Sequence, residues 1–307
     1  MKCSFCNRRA IYYRANEGKY YCRVHFIRSF ERRVKRTISA HKLVKEGDVI
    51  AVALSGGKDS SATLYLLNKF FHDNPKIRIF AITVDQGIEG ITKKNIEAAK
   101  KLTKKLGIEH HIFTYKEVFG ISVDEIAKKL PDFTCGTCAI LRRYILNKKA
   151  RELGATKLAT GHNLDDECQS ALMNLLKGDL QRLVRLGPMP HVFLHPKFVV
   201  RVKPLVTAPE RESALYAHLK LKGYFASLAC PYKVTNPLRY EAQQFLNRLE
   251  ASSPGIKHAF QSTIYKIIPN IKAGMKLEGL KTCKKCGEPS SQEVCRVCQL
   301  LELLKSQ

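Results

Sequence analysis

The sequence predicts an α/β fold: a parallel sheet with helices on both faces, flanked by a small cysteine-rich module at each end. Three observations predict it. Between Lys45 and about Lys203, apolar strand-like runs alternate with helix-like segments, the pattern of successive βαβ units. The first of those runs ends in a glycine-rich turn that opens a helix. Cysteine pairs with C-x-x-C spacing gather near both termini, outside the alternating region. A chain of 307 residues has room for one large domain with such appendages.

Taken in order, the first element is Cys3-x-x-Cys6, a spacer, and Cys22-x-x-His25. Two such knuckles supply four ligands, the set for a tetrahedral Zn²⁺ with no open position. At the other end Cys283-x-x-Cys286 and Cys295-x-x-Cys298 repeat the logic, with Gly287 where the knuckle turns. Neither segment is long enough to build an apolar core, so metal binding must supply its folding energy. The expected divisions are a zinc finger at 1–27, a basic linker helix at 28–44, a central domain at 45–272 and a second zinc finger at 273–307. In the linker, Phe26, Ile27, Phe30 and Val34 recur at helical spacing. The charged side carries Arg28, Arg32, Arg33, Lys35 and Arg36, suited equally to water or to phosphate.

The central strands are expected at Val49–Leu54, Ile77–Val84, His110–Thr114 and Lys157–Thr160. The helices are expected at Ser60–Phe71, Lys93–Leu106, Ser122–Leu130, Thr137–Leu153 and Asp166–Lys177, with Asp59 or Ser60 capping the first. Further helical stretches fall at Pro209–Tyr224 and Pro237–Ile271. In such sheets ligands bind beyond the carboxyl ends of the strands. Three segments end there: Ser55–Ser60, Val84-Asp85-Gln86-Gly87 and Gly161–Glu167.

The composition narrows the partners. A formal net charge of +26 exceeds what solubility needs and points to a polyanion, most simply nucleic acid. No apolar run approaches the ~20 residues of a membrane span, and no leader-like segment opens the chain, so a cytoplasmic place is expected. Eleven cysteines in a reducing compartment are better metal ligands than disulfide partners.

The first strand, ending at Leu54, runs into Ser55-Gly56-Gly57-Lys58-Asp59-Ser60. Glycines allow a tight turn and let backbone amides approach a phosphate. The helix N-terminus adds partial positive charge, and Lys58 with the Ser55 and Ser60 hydroxyls completes an anion cradle. The long spacing of a Walker A loop is absent. The second segment, through Thr83 and Val84, is placed to offer backbone contacts to an adenine and ribose. In Gly161-His162-Asn163-Leu164-Asp165-Asp166-Glu167 the paired aspartates are hard oxygen donors suited to Mg²⁺ beside phosphates. Helix capping by Asp165 is the plainer role; the metal role falls to Asp166 first. The remaining thiols are Cys135-Gly136-Thr137-Cys138, placed just before a helix, Cys230 far downstream, and Cys168, which reads as a small buried apolar residue. Three thiolates suit a redox pair with a third partner, or a [4Fe–4S] cluster with one iron lacking a protein ligand; a third zinc or inert thiols are the other possibilities.

Ser55–Ser60 resembles the PP-loop of the N-type ATP pyrophosphatases, which have an adenine-nucleotide α-hydrolase-like fold and split ATP between the α- and β-phosphates. Gly161–Glu167 resembles the segment lining their ATP site. Adding Cys135, Cys138, Cys230 and the terminal zinc modules, nearly the whole chain is similar to the tRNA 2-thiouridine synthetases, the archaeal and thermophile T-loop type foremost. The resemblance implies ATP-Mg²⁺ bound at Ser55–Ser60, adenylation of a uridine C2 oxygen with release of pyrophosphate, and displacement of AMP by sulfur. It implies catalytic parts for Cys135, Cys138, Cys230, Asp59 and Asp166, and nucleotide contacts at Ala53, Ser55, Gly56, Gly57, Lys58, Asp59, Ser60, Thr83, Val84, Gly161, Asp166 and Arg142. Arg142 stands where a lysine is expected; it stays charged and suits phosphate or AMP contact but not proton transfer. The implied cofactors are ATP, Mg²⁺, two Zn²⁺ and a [4Fe–4S] cluster on Cys135, Cys138 and Cys230, with a persulfide on Cys135 or Cys230 as the other sulfur route. The implied partners are tRNA and a ubiquitin-like sulfur carrier with a C-terminal thiocarboxylate; a homodimer is a further possibility and a membrane is not expected. Position 54 is expected over wobble position 34. Cytidine 2-thiolation, a synthetase acting on a small acid, and a non-catalytic RNA-binding zinc protein are the competing readings.

Overall fold

The computed structural model describes residues 1–190, 195–226, 228–232, 237–275 and 280–306. Its centre is a five-stranded, all-parallel sheet. The strands are β1 (Val49–Ala53), β2 (Arg78–Asp85), β3 (His110–Thr114), β4 (Lys157–Ala159) and β5 (Val200–Val202), in spatial order β3-β2-β1-β4-β5. The order reverses direction at β1, so the crevice for a ligand opens beside the end of that strand. The four expected strands are present within a residue or two. The fifth, β5, was not expected.

Alternation along β1 serves two layers. Ile50 and Val52 pack with Leu64, Leu66 and Leu67 of helix α2 (Lys58–Phe71). Ala51 faces the other way and packs with Ala150 of the long helix α6 (Thr134–Glu152), alongside Phe80, Ile82 and Leu158. Both faces are therefore covered, which an all-parallel sheet requires.

The remaining helices, numbered in chain order, are α1 (Arg23–Ala40), α3 (Thr92–Leu106), α4 (Tyr115–Phe119) and α5 (Val123–Lys129). They are followed by α7 (Leu164–Leu176), α8 (Leu180–Leu183), α9 (Glu210–Lys220), α10 (Pro237–Ser252), α11 (Ile256–Ala273) and α12 (Arg296–Ser306). Three helical expectations need correction. α6 begins at Thr134, so Cys135 and Cys138 lie inside its first turns and not before it. The long stretch Pro237–Ile271 is two helices, broken at Ser253-Pro254-Gly255 where Gly255 is left-handed at φ +99°. α2 is capped by neither Asp59 nor Ser60; its N-cap is Gly57. None of the helices among the described residues is long and apolar enough to cross a membrane.

Each terminal module docks on a helix that reaches the crevice. Arg14, 2% exposed, donates to both oxygens of Glu212 on α9 at 2.9 and 2.8 Å, and Arg33 of α1 joins at 2.8 Å. Phe30 of α1 stacks on Tyr216 of α9 with centroids 4.5 Å apart. At the other end, Val297 and Leu304 of α12 share a core with Leu141 and Ile145 of α6. Arg151 of α6 holds Glu288 by two bonds.

Candidate active site

The turn after β1 is shaped by its glycines. Gly56 has φ +78°, and a Cβ there would fall 2.2 Å from the carbonyl oxygen of Asn95 on α3, so no other residue fits. Ser55 and Ser60 tie the turn together: their hydroxyls lie 3.0 Å apart, and the Ser60 hydroxyl donates to the Gly57 carbonyl at 3.0 Å. The Ala226 amide donates to the Gly56 carbonyl at 2.8 Å and fixes the turn from the far side. Lys58 donates to Asp59 at 2.8 Å and to Glu210 at 3.0 Å. Burial works against the Lys58 ammonium, but those two carboxylates outweigh it and raise its pKa above the ordinary lysine value. Ser213 of α9 donates to the other Asp59 oxygen at 2.6 Å.

The second motif interlocks with the first. A Cβ on Gly161 would lie 2.8 Å from the carbonyl carbon of Asp59 and from the Ser60 nitrogen. The segment then turns into α7, where Asn163, not Asp165, is the cap. Its side chain accepts from the Asp166 amide, and Asp166 accepts from the Asn163 amide, both at 3.1 Å. Asp166 therefore does have a capping part, played with one oxygen; its other oxygen accepts from Arg239 at 3.2 Å. Burial pushes the Asp166 carboxyl up to about 6, the Asn163 amide and Arg239 pull the other way, and the charges of Asp59 and Glu210 add to the rise. Asp165 is buried, accepts from the Glu210 amide at 2.7 Å and pairs with Lys257, a structural part that fastens α9 and α11 to α7.

Of the residues expected to border an adenine, Thr83 spends its side chain inside the sheet, donating to the Leu54 carbonyl at 2.6 Å and meeting His110 at 2.7 Å. Val84 is buried against Ile88 and Tyr115, and Ala53 is half-buried at the end of β1.

The cysteines divide into three groups. Cys3, Cys6, Cys22 and His25 gather with every ligand atom within 4.8 Å of the others, as do Cys283, Cys286, Cys295 and Cys298. Tetrahedral Zn²⁺ with Zn–S near 2.3 Å sets sulfurs about 3.8 Å apart. Cys6 and Cys22 are 3.8 Å apart, Cys283 and Cys298 are 3.9 Å apart, and Cys286 and Cys295 are 3.5 Å apart. His25 turns its Nδ1 toward Cys3, Cys6 and Cys22 at 3.4, 3.5 and 3.4 Å. Among the described residues no other group gathers so tightly, and Cys135, Cys138 and Cys230 stand wider apart.

That central trio lies at the same end of the sheet as the glycine turn. α6 runs back from the carboxyl edge of β3 to the start of β4, so its N-terminus lies at that edge. Cys135 is exposed there and Cys138 is half-buried. Cys138 and Cys230 both pack on the cluster formed by Tyr115, Ile126 and Leu141. Tyr115 donates to the Cys138 carbonyl at 2.7 Å and lies 3.6 Å from its sulfur. Burial raises the Cys138 thiol, with Arg142 one turn on and Tyr115 opposing it, and the neighbouring Cys230 and Cys135 reinforcing it. Two residues after Cys230, Tyr232 meets Asp124 of α5, a contact that raises the phenol and anchors the segment.

Comparison with known proteins matches this arrangement. Residues 26–225 match the family model of a PP-loop domain. Over the full length of both chains the sequence is 36% identical to tRNA 2-thiolation protein NcsA of Haloferax volcanii. It is 37% identical to the tRNA-5-methyluridine(54) 2-sulfurtransferase of Pyrococcus horikoshii, over 99% of this chain and 95% of that one. Its fold is similar to the solved U34-tRNA thiolase NcsA of Methanococcus maripaludis with its [4Fe-4S] cluster: TM-score 0.83, 36% identity, 97% of this chain and 95% of that chain. The chain belongs to the PP-loop tRNA 2-thiolation family. It is an ATP-using enzyme family, and both the fold and the motifs that carried the resemblance are those of this chain.

Within this family frame the structure adds residues that the sequence analysis did not single out. Glu210 and Ser213 reach Lys58 and Asp59 from α9, 152 and 154 positions downstream. Their signal was available: an acidic first turn, Glu210-Arg211-Glu212 behind Pro209, is unusual in so basic a chain. Arg142, expected to touch nucleotide phosphate, is exposed on α6 with its charge bearing on Cys138. Cys168 is fully buried, as expected of a small apolar residue, and its thiol donates to the Lys257 carbonyl at 3.3 Å.

Proposed function

We propose that the chain makes 2-thiouridine in tRNA by adenylating the uridine C2 oxygen with ATP and replacing the resulting leaving group with sulfur. One observation carries the reading: an anion-binding turn, a carboxylate cluster and three thiols converge on one edge of the sheet. The turn's amides, Lys58 and the N-terminus of α2 would hold the departing pyrophosphate and take up its developing charge. Asp59 and Glu210 both hold Lys58, and their negative charge reaches Asp166, whose carboxyl is raised chiefly by burial and then by these two neighbours. That donor set fits Mg²⁺, which when bound would neutralise phosphate charge. Ser213 holds Asp59 and Asn163 holds Asp166, so the carboxylates are oriented before substrate arrives.

The uridine oxygen forms its bond to the α-phosphorus as the bond to the β-phosphate oxygen breaks. A sulfur nucleophile then attacks C2, and the C–O bond to AMP breaks. The three thiols are soft donors, set wider than a single ion needs, which suits a [4Fe–4S] cluster. The chemistry such a cluster supplies is an iron without a protein ligand, open to sulfur. Tyr115, with Ile126 and Leu141, shields the Cys138 side of the trio from water. The two terminal tetrads fit structural Zn²⁺. The sulfur carrier implied by the resemblance, a ubiquitin-like protein with a C-terminal thiocarboxylate, remains the proposed donor, in a cytoplasmic setting.

Position 54 is the proposed target, and position 34 is the second reading, favoured by the similarity to the U34 thiolase over 97% of this chain. The test is mass spectrometry of nucleosides from tRNA incubated anaerobically with reconstituted protein, ATP-Mg²⁺ and sulfide, beside Cys135→Ala. New 2-thiouridine or its 5-methyl form, lost in the variant, is expected, and fragment mapping assigns the position. 2-Thiocytidine, or tRNA binding without ATP cleavage, would overturn the reading.

A further inference from the structure

Beside the carboxylates lies a second, oppositely charged cluster. Arg201 is the middle residue of β5, in register with Leu158 of β4. Register partners in a parallel pair point to the same face, and Leu158 faces α6 with Ala150. On α6, Asn147 clamps the approach to β5, donating to the Lys197 carbonyl at 2.8 Å and accepting from the Val199 amide at 3.0 Å. From that clamp, Arg143 is one turn toward the helix N-terminus, about 6 Å. Arg201 is two residues along the antiparallel-running strand, about 6.6 Å on the same face as Val199. The two guanidinium-bearing residues are therefore level with each other at the carboxyl edge.

His162 joins them from the loop after β4. The Thr160 amide donates to the Val202 carbonyl at 3.0 Å, and the Thr160 hydroxyl meets His162 Nδ1 at 2.8 Å, which leaves Nε2 for a ligand. The nearest acids are spoken for: Glu167 is paired with Lys203, and Asp166 with Arg239. Among the described residues, Arg143 and Arg201 have no carboxylate partner. The rest of the sequence offers one acidic side chain, Glu278. The cost of this arrangement is visible in the groups themselves. Burial and then Arg143 lower Arg201 to about 10; burial and then Lys203, Arg143, Arg201 and Arg239 lower His162 to about 3. Arg143 and His162 nonetheless remain open to solvent.

We propose that Arg143, Arg201 and His162 form an oxyanion site that takes a backbone phosphodiester of the RNA strand carrying the target nucleotide. This deepens, and rests on, the tRNA reading above. Its place decides between the two sources of phosphate. The PP-loop and α2 hang on the face of the sheet opposite α6, and they already supply the nucleotide's anion cradle. The cluster lies on the α6 face, one residue past Arg142, whose charge bears on Cys138, and four residues before Asp166. A strand held there brings one base within reach of both the ATP side and the thiol side.

The test uses the full chain with its metals. tRNA affinity is measured by fluorescence anisotropy over a salt series for wild type, Arg143→Ala, Arg201→Ala and Arg201→Lys, with melting curves to confirm folding. Affinity for a non-hydrolysable ATP analogue is measured by calorimetry. Each alanine variant should weaken tRNA binding by roughly tenfold and flatten the slope of log K against log salt by about one. Arg201→Lys should keep the slope, and analogue affinity should stay within about twofold of wild type, since those contacts lie elsewhere. tRNA affinity and slope unchanged in both alanine variants, with wild-type thiolation intact, would overturn the cluster alone. Lost analogue affinity with intact tRNA binding would assign it to the nucleotide and also overturn it. Wild-type protein that binds no tRNA would remove both this inference and the function it rests on.

Discussion

Gly161→Ala tests whether the two nucleotide-site motifs act as one unit. Gly161 is not in the left-handed region; what it needs is room. Its Cβ would sit 2.8 Å from two backbone atoms of Asp59 and Ser60, and 3.0 Å from the Asp59 carbonyl oxygen. Carbon contacts are comfortable at about 3.5–4.0 Å, so the gap must open by roughly 0.7–1 Å. The first turn of α2 is not the side that yields: the Ser61 amide donates to the Gly57 carbonyl at 3.0 Å, and the Thr63 hydroxyl to Asp59 at 2.8 Å. The loop bearing His162 moves instead, and with it the first turn of α7 that bears Asp166. Overpacking of this kind costs about 1–3 kcal/mol in stability. A misplacement near 1 Å of a reacting constellation costs on the order of a hundredfold in rate. tRNA-dependent conversion of α-labelled ATP to AMP should therefore fall by roughly 30- to 100-fold in a protein that still melts cooperatively, a few degrees lower. Gly136→Ala is the steric control, because nothing lies within 4 Å of a Cβ there. Its melting temperature should hold or rise. Wild-type AMP formation by Gly161→Ala would show that the contact between the motifs does not position the carboxylates.

Asp166, held at about 6, must be ionised to bind a cation, so Mg²⁺-ATP affinity should climb as pH rises through 6 and then level off. Measured as KM for ATP on both sides of that pH, the acid limb should flatten in Asp166→Asn. For the ligand-free fold the sign reverses: a carboxyl raised above its unfolded value binds protons preferentially when folded. Its contribution to stability is lost between the unfolded pKa, near 4, and the folded one. Glu212→Ala should cost about 1–3 kcal/mol in urea unfolding, because the buried Arg14 loses its two-pronged partner and keeps only Glu17 as a counter-charge. The same variant should raise KM for ATP, since its helix also carries Glu210 and Ser213. Exhaustive chelation should release two zinc equivalents per chain, and Cys283→Ser should hold one fewer and expose α12 to proteolysis. Retention of both metals by that variant would count against the C-terminal tetrad as a zinc site.

How much of this was legible follows from the range over which each signal acts. The PP-loop, the segment from Gly161 to Glu167 and both tetrads are short motifs whose chemistry sits in neighbouring residues, so their residue types show directly. The first four strands are visible because each is an apolar run bounded by turn residues. β5 is Val-Arg-Val, too short for alternation to register and with a charge at its centre, and only pairing with β4 reveals it. The start of α6 was hidden for a related reason. Gly136 between two cysteines reads as loop, but packing of Leu141, Ile145 and Ala150 carries the helix back to Thr134. The break between α10 and α11 is written in Pro254-Gly255, a local signal inside an otherwise continuous helical pattern. α1 shows the opposite case: Cys22 is the residue before the helix, so the cysteine–histidine tetrad and the basic helix form one continuous unit. The unusually acidic first turn of α9 marks Glu210 locally, but what Glu210, Ser213 and Arg201 meet could not come from any local pattern. The sheet order places β5 next to β4, and helix packing brings α9 onto α2, so their partners are set by topology across long stretches of chain. The motif residues can thus be picked out from the sequence, while the side chains that meet them from distant elements emerge only when the strands are put in order.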